Sequence, residues 1–447
     1  MKAWLEWARA AGFVVLAALV QAGCGGGSGD PGVNPQPQPQ PQPPVPATAN
    51  PERRVLATAL QVDASTRFAT ATITLGPATA PGATLEIGDL EISGVSSAGS
   101  DLLWADRGDR LELGLAAAAG NTIVVIRYRF QVHDNFDGAA AAGYTFTWPS
   151  YCGNLFPCQS LPAQGVDLSV NVANAPTGQR VIQPAGVLTA APAYQLGWAT
   201  GAYTDLDLGR TGAGTRLVAS YLPGQRDTMA EGTRHLRDAF EWMEATLGPY
   251  RFGAEAGPVA VAWGAGAYGG MEHHPRWHIA SPAVADAGLH VHEAAHGWFG
   301  NGVRLACWED FVLSEGTASY LAARALEVVA PDVGAAVWDS HAAQLRTLRG
   351  TEPVWPQGCN QIDVVRSGLY SQAPYVRGAF FLRALGQRVG VTALDRALGT
   401  FHRRHAGQAA RMQDLLDTVR QETGYDPAAC AASWLRSSTI PTATSCS

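Results

Sequence analysis

Charge is what this 447-residue sequence has little of: Asp, Glu, Lys and Arg make up 15% of it, and 31 Lys and Arg are outnumbered by 38 Asp and Glu. A net charge of -7 over that length leaves no basic footprint, so no nucleic-acid partner is expected. Cysteine is scarce too, at seven residues. The apolar run from Ala10 to Val20 is too short to cross a bilayer as a helix. No internal repeat of fixed period is present. What is plentiful is apolar material, 47% of the chain, which excludes disorder over most of its length. The length points to two or three domains, with nothing in it to fix an oligomeric state.

Lys2 and Arg9 precede the short apolar run, the pattern of an export signal. The run ends in VQAGC, with small Ala22 and Gly23 before Cys24. This resembles the lipobox of bacterial lipoproteins, although Gln21 stands where that box usually carries Leu. The expectation is a signal peptide over 1–23 and a chain held at a membrane by lipid on Cys24, on the periplasmic side or at the cell surface. Simple secretion and a retained anchor are the alternatives. Residues 24–50 continue with glycine and an alternating Pro-Gln tract, which favours an extended polyproline tether over a packed core. Six cysteines remain, an even number that suggests three disulfides in an exported chain. Proximity in sequence favours Cys152–Cys158, Cys307–Cys359 and Cys430–Cys446 among fifteen possible connectivities.

From Arg53 to about Ala190, short alternating runs such as RFATATITL and NTIVVIRYRFQV, separated by Gly, Pro, Asn and Asp, predict an antiparallel β domain over 51–192. After Leu196 the texture becomes mixed α/β. Beyond Ser314 it is almost entirely helical, as in EGTASYLAARALEVVA and VRGAFFLRALGQRVG. A second domain over 193–447 is therefore expected, α/β to about 320 with a helical lobe after.

The chemistry lies in LHVHEAAHGWFGN, Leu289 to Asn301. Residues four apart share one face of a helix, so His292 and His296 can direct both imidazoles at one zinc ion. Glu293, one position round, can reach a water on the metal without being a ligand, the place of a general base. With 11 His and at most 38 Glu, chance supplies roughly 0.02 such patterns per chain. A third ligand is available in WEDFVLSEGTASY: Glu315, separated from His296 by eighteen intervening residues, opens an apolar helical pattern.

Together HEAAHGWFGN and SEGTASY resemble the aminopeptidase N family, which includes leukotriene hydrolase. Three further segments carry the resemblance. YGGMEHH, Tyr268 to His274, is similar to the family's Gly-x-Met-Glu-Asn strand; YSQAPYVRGAFFL is similar to its Tyr-x4-Tyr-x-Lys-Gly segment; LFPCQSLPA is similar to its Phe-Pro-Cys-x-Asp-x-Pro signature. The likeness runs from about residue 140 to about 440. It implies one zinc on His292, His296 and Glu315, Glu293 as base and Tyr375 as donor to the oxygen that gains charge. It also implies Glu272 as partner of a substrate amine, Gln159 as a second amine or side-chain contact, and Gly269 and Gly270 as open strand backbone. His273, Ser160 and Arg377 depart from the pattern, standing for asparagine, aspartate and lysine. The chain also stops soon after ASWLRSSTIP, short of the large C-terminal helical domain of many relatives.

The resulting expectation is a multidomain α+β protein. An N-terminal antiparallel β domain is followed by a thermolysin-like α/β catalytic domain with a helical lobe, acting as an exported zinc aminopeptidase on peptide substrates. The alternatives are a tethered, non-catalytic peptide- or zinc-binding lipoprotein, and a hydrolase of a non-peptide substrate on the same site.

Overall fold

The computed structural model describes residues 44–134, 136–263, 269–348, 352–441 and 446. The signal segment, Cys24, most of the tether and Tyr268 lie outside them. Apolar and polar residues alternate over 55–191 and build a seven-stranded sheet. Its strands are β1 (Val55–Asp63), β2 (Phe68–Leu75), β3 (Glu91–Ser97), β4 (Ser100–Asp101), β5 (Thr122–Arg129), β6 (Val166–Ala173) and β7 (Leu188–Ala191). They lie in the order β7-β6-β1-β2-β5-β3-β4. Every second side chain of β5 and β6 is buried, Val124, Ile126 and Tyr128 in one and Leu168, Val170 and Val172 in the other, so one face becomes the core.

Two expectations are corrected here. The sheet is not wholly antiparallel, because β1 and β6 run parallel from Ala57 opposite Asp167 to Asp63 opposite Ala173. A parallel pair needs a long crossover, and residues 130–165 provide it. The end of the segment read as tether also belongs to this domain. Thr48 bridges to Leu113, and the buried Asn50 amide donates to the carbonyls of Ala80 and Pro81.

A mixed sheet follows, of β8 (Thr204–Arg210), β9 (Arg216–Tyr221), β10 (Glu255–Ala256), β11 (Val259–Val261), β12 (Gly270–Met271) and β13 (His278–Ala280). Its order is β8-β9-β11-β13-β12, with β10 beside β9 and β12 at the edge. The helices are α1 (Arg226–Gly232), α2 (Leu236–Leu247), α3 (Ala287–Ala295), α4 (Phe311–Val329), α5 (Pro331–Thr347), α6 (Gln372–Val389), α7 (Val391–His405), α8 (Met412–Thr423) and α9 (Ala428–Ala431). Among the described residues, no helix is long and apolar enough to cross a membrane.

Helices α4 and α6 meet backbone to backbone. A Cβ on Gly378 would fall 2.5 Å from the Gly316 Cα, and one on Gly316 would fall 2.7 Å from the Gly378 Cα. Only glycine at both positions permits this approach, which sets Glu315 and Tyr375 beside the same space. The three disulfides are Cys152–Cys158, Cys307–Cys359 and Cys430–Cys446, the pairings that proximity favoured.

Candidate active site

Helix α3 is capped by Asp286, whose side chain accepts from the Leu289 amide, and it presents His292 and His296 one turn apart. His296 donates through Nδ1 to the Phe299 carbonyl at 3.0 Å, which fixes its tautomer and leaves the Nε2 lone pair pointing at the site. His292 Nδ1 lies 3.4 Å from the Ser319 hydroxyl, so its Nε2 faces the same point.

The two Nε2 atoms are 3.2 Å apart, and Glu315 Oε2 from α4 lies 3.3 Å from the first and 3.4 Å from the second. Ligands about 2.1 Å from a tetrahedral ion stand about 3.4 Å from one another, so this donor triangle has the dimensions of a zinc cradle. Two imidazole lone pairs facing each other at this distance repel unless a cation lies between them. The electrostatics agree: against the desolvation that opposes it, Glu315 and Glu272 favour positive charge at His296. Despite its own burial, Glu315 is held down to about 2 by His296 and His292. The residues present therefore fit one zinc ion.

Glu293 turns its carboxylate toward edge strand β12, and a Cβ on Gly270 would collide with Oε1, so glycine there is a steric requirement. Among the described residues its buried Oε2 has no hydrogen-bond partner, an acceptor left for a group that enters the site. Burial raises the Glu293 carboxyl well above the usual carboxylate range; His296 opposes this, and Glu272 and Glu315 add to it. Glu272 follows β12 and is 5% exposed. Burial raises its carboxyl, with His296 the largest opposing influence. The Tyr375 ring stacks 5.9 Å from that of His292. Gly269, Gly270, Glu272, His292, Glu293, His296, Glu315 and Tyr375 all line one cavity of about 890 Å³.

Gln159 is not brought to this cavity, a correction with a clear cause. Its amide is used inside the β domain, donating to the carbonyls of Arg53 and Thr84 and accepting from the Val55 amide. Arg377 is likewise structural, donating to the carbonyls of Trp434 and Ser437. The neighbouring histidines are used singly: His273 donates to the Tyr194 carbonyl, and His274 donates to the Glu293 carbonyl while accepting from the Tyr250 hydroxyl. Among the described residues, no group that could hold a metal includes either of them or His278.

Sequence reasoning missed two residues that hold Glu272. Asn301 donates to the Glu272 carbonyl at 2.6 Å, and the Tyr194 hydroxyl lies 2.9 Å from the Asn301 side-chain oxygen. Asn301 closes the motif segment and could have been found there, whereas Tyr194 lies 107 residues away with no local signal.

Residues 280–434 match the Peptidase family M1 domain. "Aminopeptidase N" of Streptomyces lividans is 28% identical over 157 residues, 34% of this chain and 18% of that protein. "Leucyl aminopeptidase" of Saccharolobus solfataricus is 26% identical over 152 residues, 32% of this chain and 19% of that protein. The match thus spans under a fifth of these relatives' length. In fold, the chain is similar to a mutant of the M1 zinc metallopeptidase from Deinococcus radiodurans solved with a Tyr-ser-ala substrate, with TM-score 0.72 and 19% identity over 87% of this chain and 95% of that one. The M1 match contains the helix of paired histidines, the third donor and Tyr375, and the likeness in fold to M1 zinc metallopeptidases extends through the β domain.

Proposed function

We propose that the chain is a zinc-dependent aminopeptidase that removes N-terminal residues from peptides. The observation that carries this is the donor triangle of His292, His296 and Glu315, with Glu293 and Glu272 buried beside it. A zinc ion bound there supplies a Lewis acid for the scissile carbonyl and lowers the pKa of water. Glu293 takes the proton of the attacking water and passes it to the departing peptide nitrogen. Tyr375 donates a hydrogen bond to the carbonyl oxygen as negative charge builds on it. Glu272 pairs with the substrate's α-ammonium, which in a desolvated cleft needs a carboxylate close by. Gly269 and Gly270 leave the β12 edge uncovered, so a peptide can align on its backbone.

The test is a panel of free and N-acetylated peptides, with and without a chelator. Free termini are expected to be cleaved far faster, chelation to stop turnover and added zinc to restore it. Glu272→Ala should erase the preference for free termini at a cost of about 2–5 kcal/mol in kcat/KM. Internal cleavage of blocked peptides at equal rates would remove the aminopeptidase reading and leave the zinc peptidase reading. Indifference to chelation would remove both.

We also propose export and a lipid on Cys24, supported by the N-terminal pattern and by three disulfides, which persist in oxidising compartments. An intact mass showing an unmodified N-terminus elsewhere would count against it.

A further inference from the structure

Helix α5 is anchored on one side and bare on the other. Gly334 packs against the Glu327 backbone, and the buried Trp338 rests 5.6 Å from Phe380 and 6.3 Å from Tyr320. The opposite stripe, Val333, Ala336, Val337, Ser340, His341 and Gln344, follows helical spacing and lines the catalytic cavity. Ala336 and Ser340 are exposed to it. Across the cavity α4 contributes Ser319 and Ala322, side chains as small. Among the described residues no Lys or Arg lines the cavity, whereas four carboxylates do: Glu272, Asp286, Glu293 and Glu315.

The direction of the substrate follows from how β12 and the residues beside it lie against α3. Gly269 abuts Leu289, where a Cβ would fall 2.8 Å from Cδ2, and Gly270 abuts Glu293. Glu272 is held by Asn301, beyond the other end of the helix. The α5 wall meets α3 at its first turn, since a Cβ on Gly288 would fall 2.9 Å from Val337 Cγ2. A peptide whose amine sits at Glu272 therefore runs past the zinc cradle toward Leu289 and α5. We propose that the α5 stripe is the subsite for the residue that follows the scissile bond, and that it selects a large uncharged side chain over glycine and over acidic residues. Small side chains at Ala322, Ala336, Ser319 and Ser340 leave the room, Leu289, Val333 and Val337 supply apolar contact, and the Asp286 carboxylate at the start of α3, beside this wall, repels an acid. This rests on the aminopeptidase reading above.

The experiment uses free tripeptides that share their first and third residues and differ in the second. The wild-type chain should favour Phe over Gly in kcat/KM by about tenfold or more, the order expected for burying an aromatic side chain, and Gln over Glu. Ala336→Trp fills the wall and should bring the Phe-to-Gly ratio close to one. Ser340→Trp, one turn along the same stripe, should do the same by an independent substitution. A ratio taken within one variant cancels any general loss of activity. Flat second-residue preference in an active wild type overturns the subsite alone, as does a variant that shifts first-residue preference, Leu against Ala, and leaves the second unchanged. A wild type that hydrolyses none of the peptides overturns the underlying reading.

Discussion

Glu293 shows how one residue's surroundings define its work. It follows His292 on α3 and stands outside the donor triangle, its carboxylate within 4.8 Å of a His296 ring nitrogen and packed against a glycine because any side chain on Gly270 would occupy its place. An Oε2 without a partner among the described residues and a proton affinity raised by burial are what support the proposed role of Glu293 as base. Glu293→Gln keeps the volume and loses the base. The variant should retain its zinc by metal analysis and lose about 10²–10⁴ in kcat; near-normal turnover would take Glu293 out of the mechanism. The three donors and Glu293 were legible in the sequence because metal chemistry demands particular side chains at helical spacing. Gln159 and Tyr194 were not. A glutamine that knits strands together and a tyrosine that orients Glu272 look alike until the chain is folded.

Elements place these residues, and the crossing of α4 with α6 is the decisive placement. Glu315 precedes Gly316 and Tyr375 lies one turn before Gly378, so the glycine contact sets the spacing between the third zinc donor and the hydroxyl across the cavity. Gly378→Ala puts a methyl where the opposing backbone stands. Overpacking of this kind costs about 1–3 kcal/mol, and here it also separates two working groups. The expected result is a lower denaturation midpoint together with a fall in kcat larger than any change in KM; unchanged kinetics at reduced stability would confine the contact to a structural role. Alternation and helical periodicity made strands and helices readable. The parallel pairing of β1 with β6 was not, because strand partners are chosen by a crossover 36 residues long, from 130 to 165, rather than by the strands' own composition.

At the scale of the whole molecule, several histidines serve as neutral struts between distant elements. His402, in the stretch FHRRH, is buried and donates to the Leu247 carbonyl at 3.0 Å, tying the end of α7 to the end of α2. Burial lowers its pKa to about 4, and that of His290, which bonds to the Val284 carbonyl, to about 4 as well. A histidine whose folded pKa lies below the unfolded value of 6.5 takes up its proton more readily when unfolded. Its contribution is therefore complete above about pH 6.5 and declines as pH falls toward 4. The carboxyls of Asp310, Glu86, Glu272 and Glu293, all raised by burial, work in the opposite direction, so the contribution of His402 is isolated by comparison with a variant rather than read from the chain's total slope. That contribution should fall between pH 6.5 and 5. His402→Gln, which cannot titrate and can still donate to Leu247, should lose less stability. At about 1.4 kcal/mol per unit of pH, the difference in unfolding free energy over that interval should approach 2 kcal/mol. Zinc release in acid affects both proteins alike and cancels in the comparison. Parallel stability curves for wild type and variant would show that His402 does not carry the acid sensitivity.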